Sequence, residues 1–191
     1  MTGVIIAGAG PTGLLASLAL AKVGVHVAIA DPNLRLDVDL VPQRRHQFRT
    51  TAYLPEAIGF LKELGVWEAI AQRACPLKGL DVYNIPNSRR ARTGLSKTSF
   101  NPRSLREENF GYNISVSDST YTMLSMVKNN PYIKIFSNAQ ILGIINGGPF
   151  IRAILDNGEV IDGQLLIGAD GAKSTVKQLA SIQDFIINTR Q

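Results

Sequence analysis

Residues 2–13 read TGVIIAGAGPTG, and residues 25–31 read VHVAIAD. The first run opens with six residues dominated by β-branched and apolar side chains, the composition of a strand buried on both faces. It breaks into glycines at Gly8, Gly10 and Gly13, with Pro11 among them. Proline is well placed at the first helical position, because its missing N–H would have no partner there. Small and apolar residues then continue to Gly24, which reads as a helix stop. Val25–Ala30 is a second buried strand, closed by Asp31-Pro32. Strand, helix and strand within some 30 residues make a βαβ unit, so the sheet begins parallel.

The glycines fit G-x-G-x-x-G as Gly8-Ala9-Gly10-Pro11-Thr12-Gly13, and each has a mechanical task. Gly8 makes the tight turn out of the strand. Gly10 lets backbone approach a pyrophosphate, and Gly13 lets helix and sheet pack closely, while the helix N-terminus favours an anion. The pattern alone is weak, but its place between strand and helix is the context it needs. Asp31, at the end of the second strand, can accept hydrogen bonds from ribose hydroxyls and favours an unphosphorylated ribose. The competing reading is a glycine-rich turn with Asp31 capping its own loop. These residues do not separate FAD from NAD.

Composition limits the classes. The chain has 191 residues, 45% apolar and 18% charged, which excludes disorder, collagen and coiled coil. Val4–Ala21 carries no charge, yet Gly8, Gly10, Pro11 and Gly13 interrupt it, so it reads as strand plus helix, not a membrane span. The single cysteine, Cys75, has no internal disulfide partner, and no Cys/His cluster has zinc spacing; no metal is expected. The charge of +5 concentrates in Arg35–Arg49 and Arg89–Arg106. These stretches lack interleaved aromatics and helical continuity, so nucleic acid is not expected. His26, in a strand, and His46, in a loop, lack partners at catalytic spacing. Cys75 reads as packing.

Further along, Pro32–Thr51 reads as an irregular loop. Pro55–Leu64 is a helix with Ala57, Ile58, Leu61 and Leu64 on one face, stopped by Gly65 and followed by a turn through Trp67 and Ile70. Short strands such as Leu80–Asn84 begin after Pro76. Asp118 is expected to cap a helix carrying Tyr121, Leu124 and Val127, which ends at Asn129-Asn130-Pro131. Strands follow at Tyr132–Phe136 and Gln140–Ile145, then a hairpin at Asp156-Asn157-Gly158, a strand at Gln164–Ile167 and a helix over Ser174–Ala180.

Leu165–Lys177 reads LLIGADGAKSTVK. With the glycine turn, its Asp170-Gly171, Ser174 and Lys177 resemble the second signature of FAD-dependent aromatic hydroxylases of the p-hydroxybenzoate hydroxylase type. Read locally, Asp170 and Ser174 could instead simply cap the helix that follows. Arg49-Thr50-Thr51-Ala52, Leu64-Gly65-Val66-Trp67, Cys75-Pro76-Leu77 and Phe110-Gly111-Tyr112-Asn113-Ile114 resemble the ubiquinone-biosynthesis branch of that family.

The resemblance implies an α/β fold: a Rossmann-like FAD-binding domain with parallel sheet and β-meander over 1–75 and 111–180, and part of a smaller substrate domain over 76–110 and 181–191. It implies FAD held by Gly8, Gly10, Pro11, Gly13, Asp31, Arg49 and Asp170, with Arg49 reaching toward the flavin and its phosphates. It implies NAD(P)H as transient reductant, O2 as oxidant and a prenylated phenolic substrate. No catalytic side chain is assigned. The family usually has Arg where this chain has Lys177, which keeps the charge without the bidentate fork. Members are roughly double this length and carry a third FAD motif downstream, so these residues are expected to be a fragment, inactive alone. A cytoplasmic protein, free or peripheral to the inner membrane and able to form homo-oligomers, is expected. Other FAD oxidoreductases, such as a halogenase or prenyl reductase, and a non-catalytic dinucleotide-binding module are the alternatives.

Overall fold

The structure is a computed structural model and describes residues 2–34, 49–84 and 96–183. Most of Arg35–Arg49, with His46, part of Arg89–Arg106 and most of 181–191 lie outside those residues. By contacts, the chain divides into two compact units, residues 1–46 with 119–191, and residues 47–118.

The first unit opens with β1 (Thr2–Ala7), α1 (Pro11–Lys22) and β2 (Val27–Asp31). β1 and β2 pair in parallel, Val4 beside Val27 and Ala7 beside Ala30. Pro11 stands at the start of α1, as its preset φ favours. Gly13, Leu14, Ser17, Leu18 and Ala21 are the buried residues of α1. The buried Ser17 hydroxyl spends its proton within the helix, near Gly13 O at 2.9 Å and Leu14 O at 2.8 Å. It therefore carries no desolvation penalty into the core. The helix closes with Val25 N–H on Leu20 O, beyond Gly24.

The second unit holds β3 (Thr50–Tyr53), α2 (Pro55–Glu63), α3 (Trp67–Ile70), β4 (Cys75–Pro76), β5 (Leu80–Asn84), β6 (Ser96–Phe100) and β7 (Tyr112–Ser115). β3, β7 and β4 form one antiparallel sheet, and β5 pairs with β6 in a separate ribbon. In α2, Ile58 and Leu61 are buried as expected, but Ala57 is exposed. By contacts, residues 49–75 and 111–118, expected in one domain with 1–46 and 119–180, group with 76–110. Within that unit, Thr50 pairs with Ser115 and Cys75 with Asn113, joining β3 and β4 to β7.

α4 (Val116–Lys128) leads back to the first unit, followed by β8 (Ile133–Ser137), β9 (Ile141–Asn146), β10 (Ile151–Leu155), β11 (Val160–Gly168) and α5 (Thr175–Leu179). Two expectations change here. α4 starts two residues before Asp118, so the cap is Ser115, whose Oγ accepts the Asp118 amide at 3.4 Å. Asp118 instead lies in the first turn, where the helix dipole favours a carboxylate. The hairpin strand and Gln164–Ile167 are one strand, β11.

The main sheet runs β8-β2-β1-β11-β10-β9. Four strands are parallel, and β11, β10 and β9 form the antiparallel meander. Gly163 of β11 is paired with Thr2 on one side and Ile151 on the other, so β11 joins both halves. One core cluster includes Ile5, Ala28, Ala153, Leu155 and Val176, spanning the sheet and α5. The fold is the expected mixed α/β architecture with a mostly parallel sheet. Among the described residues, no helix is long and apolar enough to cross a membrane.

Ile5 is fully buried, so Ile5→Ala should cost about 2–5 kcal/mol in urea unfolding. The exposed Val23→Ala should stay within about 0.5 kcal/mol. Equal midpoints for the two variants would contradict this core.

Candidate functional site

β1 is flanked by β2 on one side and β11 on the other, and the chain leaves it toward β2. That is a topological switch point, and ligands of such sheets bind beyond the carboxyl ends of the strands there. The glycine turn occupies that position.

Two of its glycines are required by the protein itself. Gly8 has φ +100°, and a Cβ there would run into the carbonyl of Ala169 and stand 2.9 Å from Asp170 Cα. A Cβ on Gly13 would run into Gly8 O and stand 3.4 Å from Ala169 Cβ. Gly10 differs: its Cβ would meet no protein atom within 4 Å. The space beside it is open. Gly8 N–H donates to Ala30 O at 2.8 Å and Ala9 N–H to Asp31 Oδ2 at 2.7 Å. Leu14 N–H is the first helical amide bonded back into the turn, to Gly10 O. The amides of Gly10, Thr12 and Gly13 have no backbone acceptor among the described residues and are available to an anion. Pro11, at the first position of α1, contributes its fixed φ and no donor.

Asp31 ends β2 with both oxygens on backbone amides. Oδ2 takes Ala9, and Oδ1 takes Asn33 at 2.7 Å. Each oxygen keeps a second lone pair for a hydroxyl. Asp170 follows β11 across the turn. Its Oδ2 accepts the amides of Thr175 at 2.7 Å and Val176 at 3.2 Å, at the start of α5. Ser174 caps the same helix, accepting the Lys177 amide at 3.0 Å. The local capping role is thus present for both residues.

Asp170 Oδ1, in contrast, is buried with no hydrogen-bond partner among the described residues. An unpaired buried acceptor is costly and calls for a donor from a ligand or water. Burial pushes the Asp170 carboxyl up; the Ser174 hydroxyl and the amides of Val176, Asp170 and Thr175 outweigh it and hold it below the ordinary carboxylate range.

A cavity of about 120 Å³ lies among the ends of β1 and β2, the β8–β9 turn and α5; Asp31, Asn33, Gln140 and Asp170 help line it. That is below the roughly 300 Å³ at which ligand pockets generally start. The donor amides, the open side of Gly10 and the carboxylate acceptors fit the adenosine and diphosphate of FAD. Three contributors were missed in the sequence: the Ala169 carbonyl behind Gly8, Gln140 and the Asn33 amide. Only the last had a signal, the Asp-Pro-Asn turn.

Arg49 belongs to the second unit, where it is exposed and its carbonyl accepts the Val116 amide at 3.0 Å. His26 is exposed just ahead of β2, its ring 5.0 Å from that of Tyr132, and is not a core residue. Cys75 is exposed on β4, contrary to a packing role. Among the described residues, no three His, Cys, Asp or Glu gather as a metal site.

Gly8→Ala should destabilise the cofactor-free chain by about 1–3 kcal/mol in urea unfolding, the usual cost of such a backbone conformation without glycine; an unchanged midpoint would refute the packing at Ala169. Asp170 sets an acid limb. Its lowered carboxyl stabilises the fold above the ordinary value near pH 4, and this contribution is lost as pH falls through the folded value. Wild type should therefore exceed Asp170→Asn in stability at neutral pH, and the gap should close in acid. A gap independent of pH would remove Asp170 as the cause.

Comparison with known proteins agrees with this geometry. A family described as FAD binding domain matches residues 1–190. The 3-demethoxyubiquinol 3-hydroxylase of Escherichia coli K12 is 26% identical over 95% of this chain and 44% of its own length. The FAD-dependent monooxygenase subE of Metarhizium robertsii is 28% identical over 91% of this chain and 51% of its own. The chain thus spans about half the length of these curated relatives. Among solved structures, p-nitrophenol 4-monooxygenase from Pseudomonas putida superposes with a TM-score of 0.70 at 20% identity, over 94% of this chain and 43% of its own. PqsL from Pseudomonas aeruginosa, described as a probable FAD-dependent monooxygenase, has a TM-score of 0.69 at 18% identity, over 99% and 48%. The glycine turn, the two carboxylates around it and a match over nearly the whole chain place this protein in the FAD-binding-domain family.

Proposed function

We propose that this chain forms the adenosine-diphosphate seat of an FAD-dependent monooxygenase that hydroxylates a prenylated phenolic ring in ubiquinone biosynthesis. NAD(P)H is the reductant and O2 the oxidant. The observation that carries the reading is the open side of Gly10 beside unpaired turn amides, in a chain whose family binds FAD. The finer substrate assignment is supported by the ubiquinone-branch resemblance and by the demethoxyubiquinol hydroxylase relative. The relatives from Metarhizium, named as FAD-dependent monooxygenases, favour a second reading, monooxygenation of a substrate other than a prenylated phenol.

In this reading, the amides of Gly10, Thr12 and Gly13 donate to diphosphate oxygens. Asp31 accepts ribose hydroxyls on its outer lone pairs, and Asp170 Oδ1 accepts a further cofactor hydroxyl or bound water. Bound FAD supplies the redox chemistry, taking electrons from NAD(P)H and passing them to O2, with one oxygen atom going to the ring and the other leaving as water. Holding the cofactor's invariant end on rigid backbone leaves the reacting end to be positioned by the rest of the protein.

The protein carrying this chain is incubated with FAD, NAD(P)H and a prenylated phenol, and products are weighed by mass spectrometry. A product one oxygen atom heavier is expected. NAD(P)H oxidation and hydroxylation confined to unprenylated phenols would favour the second reading, and bound FAD without any oxidation would favour a binding module. Gly10→Val should abolish flavin absorbance in the purified protein while its unfolding midpoint matches that of FAD-free wild type, because only the ligand needs that space.

A further inference from the structure

The Asp31 carboxylate is committed before any ligand arrives. Its oxygens hold two amides from different parts of the chain, Ala9 inside the glycine turn and Asn33 just beyond β2, both at 2.7 Å. Ala9 is buried, so its amide has no ready substitute in water. We infer that Asp31 is a positioning residue that presets the glycine turn, tying the Ala9 N–H to the end of β2 so that the phosphate-facing amides are arranged in the cofactor-free protein. The inference rests on the turn being the diphosphate seat proposed above.

The chemistry of the carboxylate is specific to this task. Two N–H donors approach two oxygens, and both bonds are charge-assisted. Asn keeps the shape but offers one oxygen, and its NH2 would face one of the two amides donor to donor. Ala9 also has a directional role. Its N–H is drawn to Asp31, leaving the later amides of Gly10, Thr12 and Gly13 to the anion. A turn fixed in advance spares the cofactor the cost of ordering it. This role and ribose binding use different lone pairs, so they can coexist, but only the first operates without FAD.

Amide hydrogen exchange by NMR on the FAD-free chain separates them, alongside FAD titration of the same samples. In Asp31→Asn, the Ala9 amide should exchange about tenfold to a hundredfold faster, the range for losing a bond to a charged group, while Ile29 in the middle of β2 keeps its rate. FAD should bind about tenfold or more weakly. Unchanged Ala9 exchange with weakened FAD would overturn the positioning role and leave a ribose contact alone. Faster Ala9 exchange with undiminished FAD affinity would keep the tether and sink the diphosphate seat. Should Asp31→Asn not fold, the Ala9 amide of FAD-free wild type is read instead: exchange slowed well below the unprotected rate is expected, and exchange at the unprotected rate overturns the inference.

Discussion

The close approach of backbone to backbone at Gly8 and Gly13 is the constraint on which the rest of the site depends. Gly13 lies against the carbonyl of Gly8, and Gly8 lies against the carbonyl of Ala169. No side chain can intervene at either place. The contact therefore joins three elements at one point: the end of β1, the first turn of α1 and the segment leaving β11. Hydrogen bonds fix the same point, from Gly8 N–H to Ala30 O and from Ala169 N–H to Ala7 O at 2.7 Å. Once these are made, the start of α1 is held at the end of β1, with the amides of Gly10, Thr12 and Gly13 left without a backbone acceptor among the described residues. Packing sets the place of this turn, and the Asp31 carboxylate holds its Ala9 amide.

The two carboxylates at this point stand in different energetic situations. Asp31 has an amide on each oxygen, so it is satisfied as it is and can accept more. Asp170 has its protein donors on Oδ2 and a buried Oδ1 with none. The first arrangement stabilises the ligand-free turn. The second leaves a cost of about 1–3 kcal/mol that a donor would relieve. The helix amides prevent protonation from being the easier remedy, since they favour the charged form. A carboxylate kept charged, shielded and half-paired is the kind of group for which a polyol or a bound water is a suitable partner.

The local parts of this design are legible in the sequence. The strand, glycine turn and helix at 2–24 are set by side-chain size, chain conformation and short-range hydrogen bonds, and Thr2–Ala7 emerges as expected. The pairing of β7 with Thr50 and Cys75 was not legible, because it joins distant stretches with no periodic signal in strands this short. Asp118 misled because both Ser115 and Asp118 are good capping residues, and tertiary structure decides between them. His26 misled because its neighbours Val25 and Val27 suggest a buried strand, whereas the paired strand begins at Val27. The unpaired oxygen of Asp170 has no sequence signature, since it depends on what surrounds the carboxylate and not on its neighbours in the chain.

The four segments that resemble the ubiquinone branch come together in the second unit, and their residues divide into two kinds. Some serve the scaffold. A Cβ on Gly111 would run into Tyr53 O, Trp67 meets the Tyr112 ring edge-on at 5.2 Å, and Ile114 is buried on the face opposite the sheet's exposed side. Any member with this packing would keep such residues, whatever it hydroxylates. The others share the opposite face: Thr50 with Ser115, and Ala52 with Asn113 and Cys75, cross-strand partners that project together. Thr50, Ala52 and Cys75 are exposed there, and packing within this unit does not account for them. Resemblance carried by Gly111 and Trp67 is therefore evidence about fold. Only resemblance carried by the outward residues bears on which molecule the protein accepts.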